Sequence, residues 1–345
     1  MSAPSTTGEP PAGEHGGGRP LLLDAKVIPA WDPSIFRRMQ RAGLSAVGVV
    51  CSTWDDHETA MRNLRGLRRF VLDDSDALLP VEGVEDVLRA HREGRVGVIA
   101  AWQNCTGFDE RLDTVAIARE AGLRVAQPTF VGRSPAGCGS DVEEDTGLTS
   151  YGRDLLATLE EQRIAVDLSH VGHRTTEEVL ERARRPPFFS QAAPAALRPT
   201  RRNKPDELLH GVAEAGGVVC IATLKVHLPG TDPGLDAMAD AVEHVLGVVG
   251  EDAVAIGTDL IPGQGVEFLE HVSREGGTGR LLMDYDVAPN IRGFDDFHGY
   301  AALSQELGRR GHPERNVDKL MGRNLLRYYG RVWGAPTAPH APAER

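Results

Sequence analysis

The chain has 345 residues, 41% of them apolar, and a formal net charge of −12. That length and core content suit a single α/β barrel. The acidic balance argues against nucleic acid or an anionic membrane surface as partner, and no apolar run reaches the ~18 residues of a transmembrane helix.

Residues 1–20, MSAPSTTGEPPAGEHGGGRP, lack the apolar segment of a secretory signal and read as a disordered tail, as do 335–345. One folded domain is expected over 21–334, in a cytoplasmic protein. Cys51, Cys105, Cys138 and Cys220 are widely spaced and form no CxxC, the pattern of reduced cytoplasmic thiols. Cys138 stands apart, in the Gly-rich stretch AGCGSD, which reads as a loop.

Eight short apolar runs follow in order: LLLDA (21–25), AVGVV (46–50), VGVIAA (96–101), LRVAQ (123–127), IAVDL (164–168), PFFS (187–190), GVVCIA (217–222) and AVAIG (253–257). Runs apolar on both faces predict parallel strands covered by helices. Helices are predicted between them. PSIFRRMQRAG ends at Gly43 and VEDVLRAHREG at Gly94; LTSYGRDLLATLEEQ is capped by Thr149; TTEEVLERARR has early acids and late bases; DAMADAVEHVLGVVG ends at Gly250. Eight repeats without a GxGxxG fingerprint predict a (β/α)8 TIM barrel and no nucleotide cofactor. FHGYAALSQELGRRG and PERNVDKLMGRNLLRYYGRVW are predicted as extra C-terminal helices closing it.

Barrel chemistry sits where strands end and loops begin. The predicted ends bring together Asp24 and Lys26, Gln103 and Asn104, Ser169 and His170, Ser190 and Gln191, and Asp259. His170, directly after a buried strand, reads as functional. His173, His227 and His298 are further candidate metal ligands, but each falls in a loop or at a helix start and reads rather as a solvated or capping histidine. Lys26 has three open roles: a fixed positive charge in place of a metal, a desolvated base or Schiff-base nucleophile, or a structural ion pair with Asp259 or Asp24.

Four segments carry a resemblance. GLTSYGRDLLATLEEQRIAVDLSHVGHRT (147–175), RRNKPDELL (201–209), AVAIGTDL (253–260) and NVDKLMGRNLLRYY (316–329) resemble, in consistent order, the membrane (renal) dipeptidase family of metal-dependent hydrolases with an amidohydrolase-like barrel. The resemblance implies that His170 matches a metal-binding histidine, Arg202 the arginine on the substrate carboxylate, and Asp259 the aspartate that handles protons at the scissile amide. It also implies departures. Lys26 and Ile28 stand where the first-strand motif keeps its metal-binding His and Asp, Gln103 stands for the bridging glutamate, and Gln191 for the strand-six histidine. WQNC and AGCGSDVEEDTGLT are similar to a divergent branch of the family, which nonetheless keeps that histidine.

The expectation is therefore a dipeptidase-like hydrolase of a small peptide-like or amino-acid-derived carboxylate, with a degenerate metal site: no cofactor, or one weakly bound zinc at His170, and no dinuclear centre. Catalysis would rest on Asp259, His170 and Lys26, with substrate contacts from Arg202, Asn203, Gln191, Gln103 and Asn104. Two alternatives stand beside it: a metal-independent isomerase, lyase or cyclase using Lys26, His170 and Asp259, and a non-catalytic small-molecule binding protein. Family resemblance implies a homodimer.

Overall fold

The structure, a computed structural model, describes residues 19–265, 267–268 and 290–334. Apart from Arg19 and Pro20, the two predicted tails lie outside the described residues.

The described strands, in chain order, are β1 (Leu22–Val27), β2 (Leu44–Ser52), β3 (Leu78–Pro80), β4 (Val96–Trp102), β5 (Leu123–Ala126), β6 (Arg133–Ser134), β7 (Gly137–Cys138), β8 (Ala165–Val166), β9 (Phe189–Ala192), β10 (Val219–Ile221) and β11 (Val254–Ile256). The eight predicted runs are β1, β2, β4, β5, β8, β9, β10 and β11. They pair in parallel as two arcs, β1-β2-β4-β5-β8 and β9-β10-β11. Backbone bonds join the arcs at both seams. Leu168 N donates to Phe188 O (2.8 Å), and Asp259 N and Ile28 N donate to Lys26 O (2.9 Å) and Leu260 O (2.8 Å). The ring is the predicted (β/α)8 barrel.

Three details differ from the sequence reading. β3 was not expected, because Leu78-Leu79 is too short an apolar run to register; it pairs only with the first residues of β4. β9 begins later than PFFS, since Pro186 and Pro187 have no N–H to give the ladder, so Gln191 lies inside the strand. Cys138 belongs to the β6–β7 hairpin, opposite Arg133, and is buried.

Alternation along the strands makes two cores. Outward residues pack under the helices. Inward ones, mostly small (Ala25, Ala46, Ala101, Ala165, Ala255), meet Tyr328, Tyr329 and Trp333 of the last helix, Asn324–Trp333. That helix docks at the strand starts: Asn324 Nδ2 donates to Val254 O (2.8 Å) and Trp333 Nε1 to Arg124 O (3.3 Å). It closes the bottom, leaving the C-terminal strand ends as the mouth. The predicted helix through 313–333 is interrupted by a π-helical turn, Lys319–Arg323. There Gly322 lies so close to the Leu21 backbone that a Cβ would collide with its carbonyl oxygen, and one inserted residue lets the chain press against β1.

Thr149 caps the helix Ser150–Glu161 as expected, its Oγ1 accepting from Gly152 N (2.9 Å) and donating to Pro135 O (2.5 Å). Thr149→Ala is expected to lower stability by about 1–2 kcal/mol in urea unfolding, the usual value of such a cap. Among the described residues no helix is long and apolar enough to cross a membrane.

Candidate active site

The mouth is built in two polar layers. The lower one spans the barrel. Lys26 comes from the first barrel strand and Asp167 follows the fifth, so they face each other across an eight-strand ring. Lys26 Nζ lies 3.4 Å from Asp167 Oδ2, and both side chains are 0% exposed. Asp167 accepts six hydrogen bonds: from Lys26 Nζ, Gln127 Nε2 (2.6 Å), Ser169 N (3.0 Å) and Oγ (2.6 Å), and Ser190 N (3.0 Å) and Oγ (2.5 Å). Burial pushes its pKa up, but the Lys26 ammonium and these bonds hold it below the ordinary carboxylate value. The ion pair expected for Lys26 with Asp259 or Asp24 is thus made with Asp167. Among the described residues Asp167 is the only hydrogen-bond partner of the ammonium, which leaves two N–H directions unused.

Asp24 does different work. Its carboxylate accepts from Thr258 N (2.9 Å) and Oγ1 (2.6 Å) and from Lys26 N (3.1 Å). Burial pushes it up to about 6, against the Thr258 bonds. It ties the end of β11 to β1 and so delivers the next residue, Asp259, to the mouth. Asp259 itself sits in the left-handed region, φ 57°, where a non-glycine residue is held at a cost of ~1–3 kcal/mol.

The upper layer holds His170, Gln103, Gln191, Asp259 and Arg202, all buried. The orientation of the Gln191 amide that satisfies both of its ends puts its nitrogen 2.7 Å from Asp259 Oδ2. Its oxygen then lies 2.8 Å from His170 Nε2 and 3.2 Å from Gln103 Nε2. In that orientation two donors face one oxygen, and Gln103 Nε2 also lies 2.9 Å from His170 Nε2, a hydrogen bond only where that ring nitrogen is unprotonated. Phe130 packs on the His170 ring, centroids 4.5 Å apart. Burial, with the positive charges of Arg202 and Lys26, pushes the imidazole well below its ordinary pKa, so it is neutral. Burial also pushes the Asp259 carboxyl up to about 7, against the pull of Lys26 and Arg202.

Arg202 is 2% exposed. Its Nη2 donates to Gln191 O (2.5 Å); its Nε and Nη1 have no partner among the described residues. Burial pulls its pKa down to about 10, opposed by Asp259 and Asp167, so the guanidinium keeps its charge at neutral pH. A buried cation with donors unused at Nε and Nη1 can receive a carboxylate.

The two asparagines serve the loops that carry the site. Asn203 Nδ2 donates to Arg198 O and His227 O (both 2.8 Å), and its Oδ1 has no partner among the described residues. Asn104 Oδ1 accepts from Cys105 N (2.8 Å). His173 begins its helix with Nε2 3.0 Å from Asn203 O, and His298 is exposed at a helix start. His227 contradicts its reading as a solvated or capping residue. It is 4% exposed, lowered well below its ordinary pKa by burial and by Arg202 and Arg198, and its Nδ1 has no partner among the described residues. The chain after β10 folds inward as a short 3-10 turn, Lys225–His227, which no local signal announces. Lys204 was also missed. It is fully buried, donates to Val171 O (2.5 Å) and sits 5.3 Å from the Phe189 ring centre. The basic run Arg201-Arg202-Asn203-Lys204 was its only trace.

Among the described residues no three His, Cys, Asp or Glu side chains converge as a metal-ligand set. The groups around His170 Nε2 are amides.

The sequence model of membrane dipeptidase (peptidase family M19) matches residues 34–276. An amidohydrolase from Pseudomonas aeruginosa is 32% identical, over 92% of this chain and 97% of that one, with a TM-score of 0.87. A metallopeptidase from Rhodobacter sphaeroides, liganded with a phosphinate mimic of the dipeptide L-Ala-D-Ala, is 18% identical over 91% of this chain and 100% of that one, TM-score 0.76. A probable dipeptidase from Pseudomonas aeruginosa is 18% identical over 91% and 96%, TM-score 0.78. At that identity the last two share the fold.

Proposed function

The chain belongs to the membrane dipeptidase family, a family of hydrolases, and on that premise we propose that it cleaves a small, amino-acid-derived amide bearing a free carboxylate, without a dinuclear metal centre. The observation that carries this is Arg202: a buried guanidinium, two of its donors unused among the described residues, beside a carboxyl whose pKa lies near neutrality.

The roles follow from the geometry. Arg202 grips the substrate carboxylate. Lys26, buried and paired with Asp167, supplies a fixed positive charge beneath the site that favours the negative charge developing on the amide oxygen. Asp259 takes a proton from the attacking water and returns it to the leaving nitrogen. A metal pair does not fit these residues: an ammonium and two amides occupy the surroundings of the one imidazole, and neither amides nor an ammonium replace carboxylate or imidazole ligands. Lys26 has no exposed surface and is ion-paired, which speaks for the fixed-charge role over a Schiff base.

The test is product release from a panel of dipeptides and N-acyl amino acids, before and after chelation, with metal analysis of the purified protein. Turnover that survives chelation and disappears when the substrate carboxylate is amidated is the expected result. A requirement for stoichiometric zinc would overturn it. With Asp259 as base, kcat/KM should rise with pH through about 7, and Asp259→Asn should lower kcat by about 10²–10⁴-fold. Stability carries the same signature with opposite sign. A carboxyl raised in the folded state binds more protons than in the unfolded one, so its contribution is largest at low pH and declines from about pH 4 to about 7. Asp259→Asn should remove that decline.

The alternative of an isomerase, lyase or cyclase draws on one observation: among the upper-layer groups Asp259 is the sole carboxyl available to activate water. Incorporation of heavy oxygen from labelled solvent into the product decides between hydrolysis and an internal proton transfer.

A further inference from the structure

We propose that Gln191 is a positioning residue, which holds Asp259 with its amide nitrogen and fixes the tautomer of His170 with its amide oxygen. The catalytic consequence rests on the reading of Asp259 as the proton carrier; the tautomer itself does not.

Above the Asp259 pKa of about 7 the ionised carboxylate only accepts hydrogen bonds, so there the end of the Gln191 amide that faces Asp259 Oδ2, at 2.7 Å, is the nitrogen. The oxygen then faces His170 Nε2 at 2.8 Å. An amide oxygen also only accepts, so with the amide in this orientation the proton of the neutral imidazole sits on Nε2, and Gln103 Nε2, 2.9 Å away, does not donate to that nitrogen. Gln103 Nε2 donates to the same oxygen. His170 Nδ1 is left as a bare lone pair, and it has no donor among the described residues. Phe130 packs against the imidazole with the two rings tilted by 49°.

Gln191 can act as a rigid reference because its backbone is also tied. Its N donates to Ser169 Oγ (3.0 Å), which is bonded to Asp167, and its O accepts from Arg202 Nη2 (2.5 Å). One residue of β9 thus connects the ion-paired floor, the carboxylate receptor and the proton carrier. In this arrangement the Nε2 lone pair of His170 is not available to a proton or a metal ion. Proton transfer falls to Asp259, and His170 acts through the amide that orients it.

Proton–nitrogen two-bond correlation spectra of histidine-labelled protein read the tautomer directly. The chain has 12 histidines, and loss of a signal in His170→Gln assigns the one concerned. In the unsubstituted protein at pH 8, His170 is expected as the pure Nε2–H tautomer. In Gln191→Met, which keeps the length and removes both polar ends, the Nδ1–H form should appear alongside it. There kcat should fall about 10–100-fold, with KM within about twofold. An Nδ1–H tautomer or an imidazolium in the unsubstituted protein overturns the proposal. So does a Gln191→Met variant with both tautomer and kcat unchanged. Should Gln191→Met fail to fold, the tautomer in the unsubstituted protein still decides. Absence of hydrolysis, by contrast, would remove the proposed function and leave the tautomer where it is.

Discussion

Arg202→Met is expected to lose the ligand and gain stability. Among the described residues the guanidinium is buried with a single hydrogen bond, to Gln191 O, and with two donors unused. Burial lowers its pKa to about 10 even with Asp259 and Asp167 nearby, which amounts to roughly 3 kcal/mol against the charged form. Methionine fills similar space without charge. Set against this is about 1 kcal/mol for the bond to Gln191 O, so the variant should be about 1–2 kcal/mol more stable in urea unfolding. Binding should move the other way. Two charge-assisted bonds to a carboxylate, at ~1.5–3 kcal/mol each, correspond to an affinity loss of about 10²–10³-fold or more, measurable by calorimetry with a substrate or product acid. Such a trade is expected of a group kept for function at the expense of the fold. A variant that loses more than about 1 kcal/mol would show instead that Arg202 is a structural cation satisfied by its carboxylate neighbours.

The barrel was legible because its strands are apolar on both faces and the helices between them carry caps and glycine stops. Those signals are local. Thr149, Gly43, Gly94 and Gly250 end or begin helices where the sequence places them, whereas β3 and the π-helical turn at Lys319–Arg323 depend on neighbours distant in the chain. The site divides in the same way. Lys26, His170, Gln191 and Asp259 could be found because strand ends locate the mouth; Arg202 came from the resemblance. Their partners could not be found. Lys26 meets Asp167 across 141 positions of sequence, and which carboxylate it reaches depends on ring closure and on the irregular register between β1 and β2. Asp24, read from the sequence as a candidate partner, is taken up by Thr258. His227 and Lys204 are buried by loop paths, and loops have no periodicity to read.

Lys26→Met should have the second large effect, one that is structural and catalytic together. Removing one member of a buried ion pair leaves the other charge without compensation, at ~3–5 kcal/mol. Here the remaining partner, Asp167, keeps five hydrogen bonds from Gln127, Ser169 and Ser190, so the lower end, about 3 kcal/mol, is expected at pH 7. The pH dependence identifies the cause. In the native protein Asp167 is held below its ordinary pKa. Its ionisation therefore contributes stability above about pH 4 that is lost as pH falls through the folded value. Without the ammonium, burial is opposed by hydrogen bonds alone and the folded pKa should rise. The carboxylate then loses stability as pH increases, and the gap between variant and parent should widen from pH 4 to pH 7 in parallel unfolding curves. Asp259 responds as well, because Lys26 opposes its burial shift: the acid limb of kcat/KM should move to higher pH in the variant. A gap independent of pH would mean that the lysine contributes packing alone. The fixed positive charge assigned to it in the mouth would then have to come from another group.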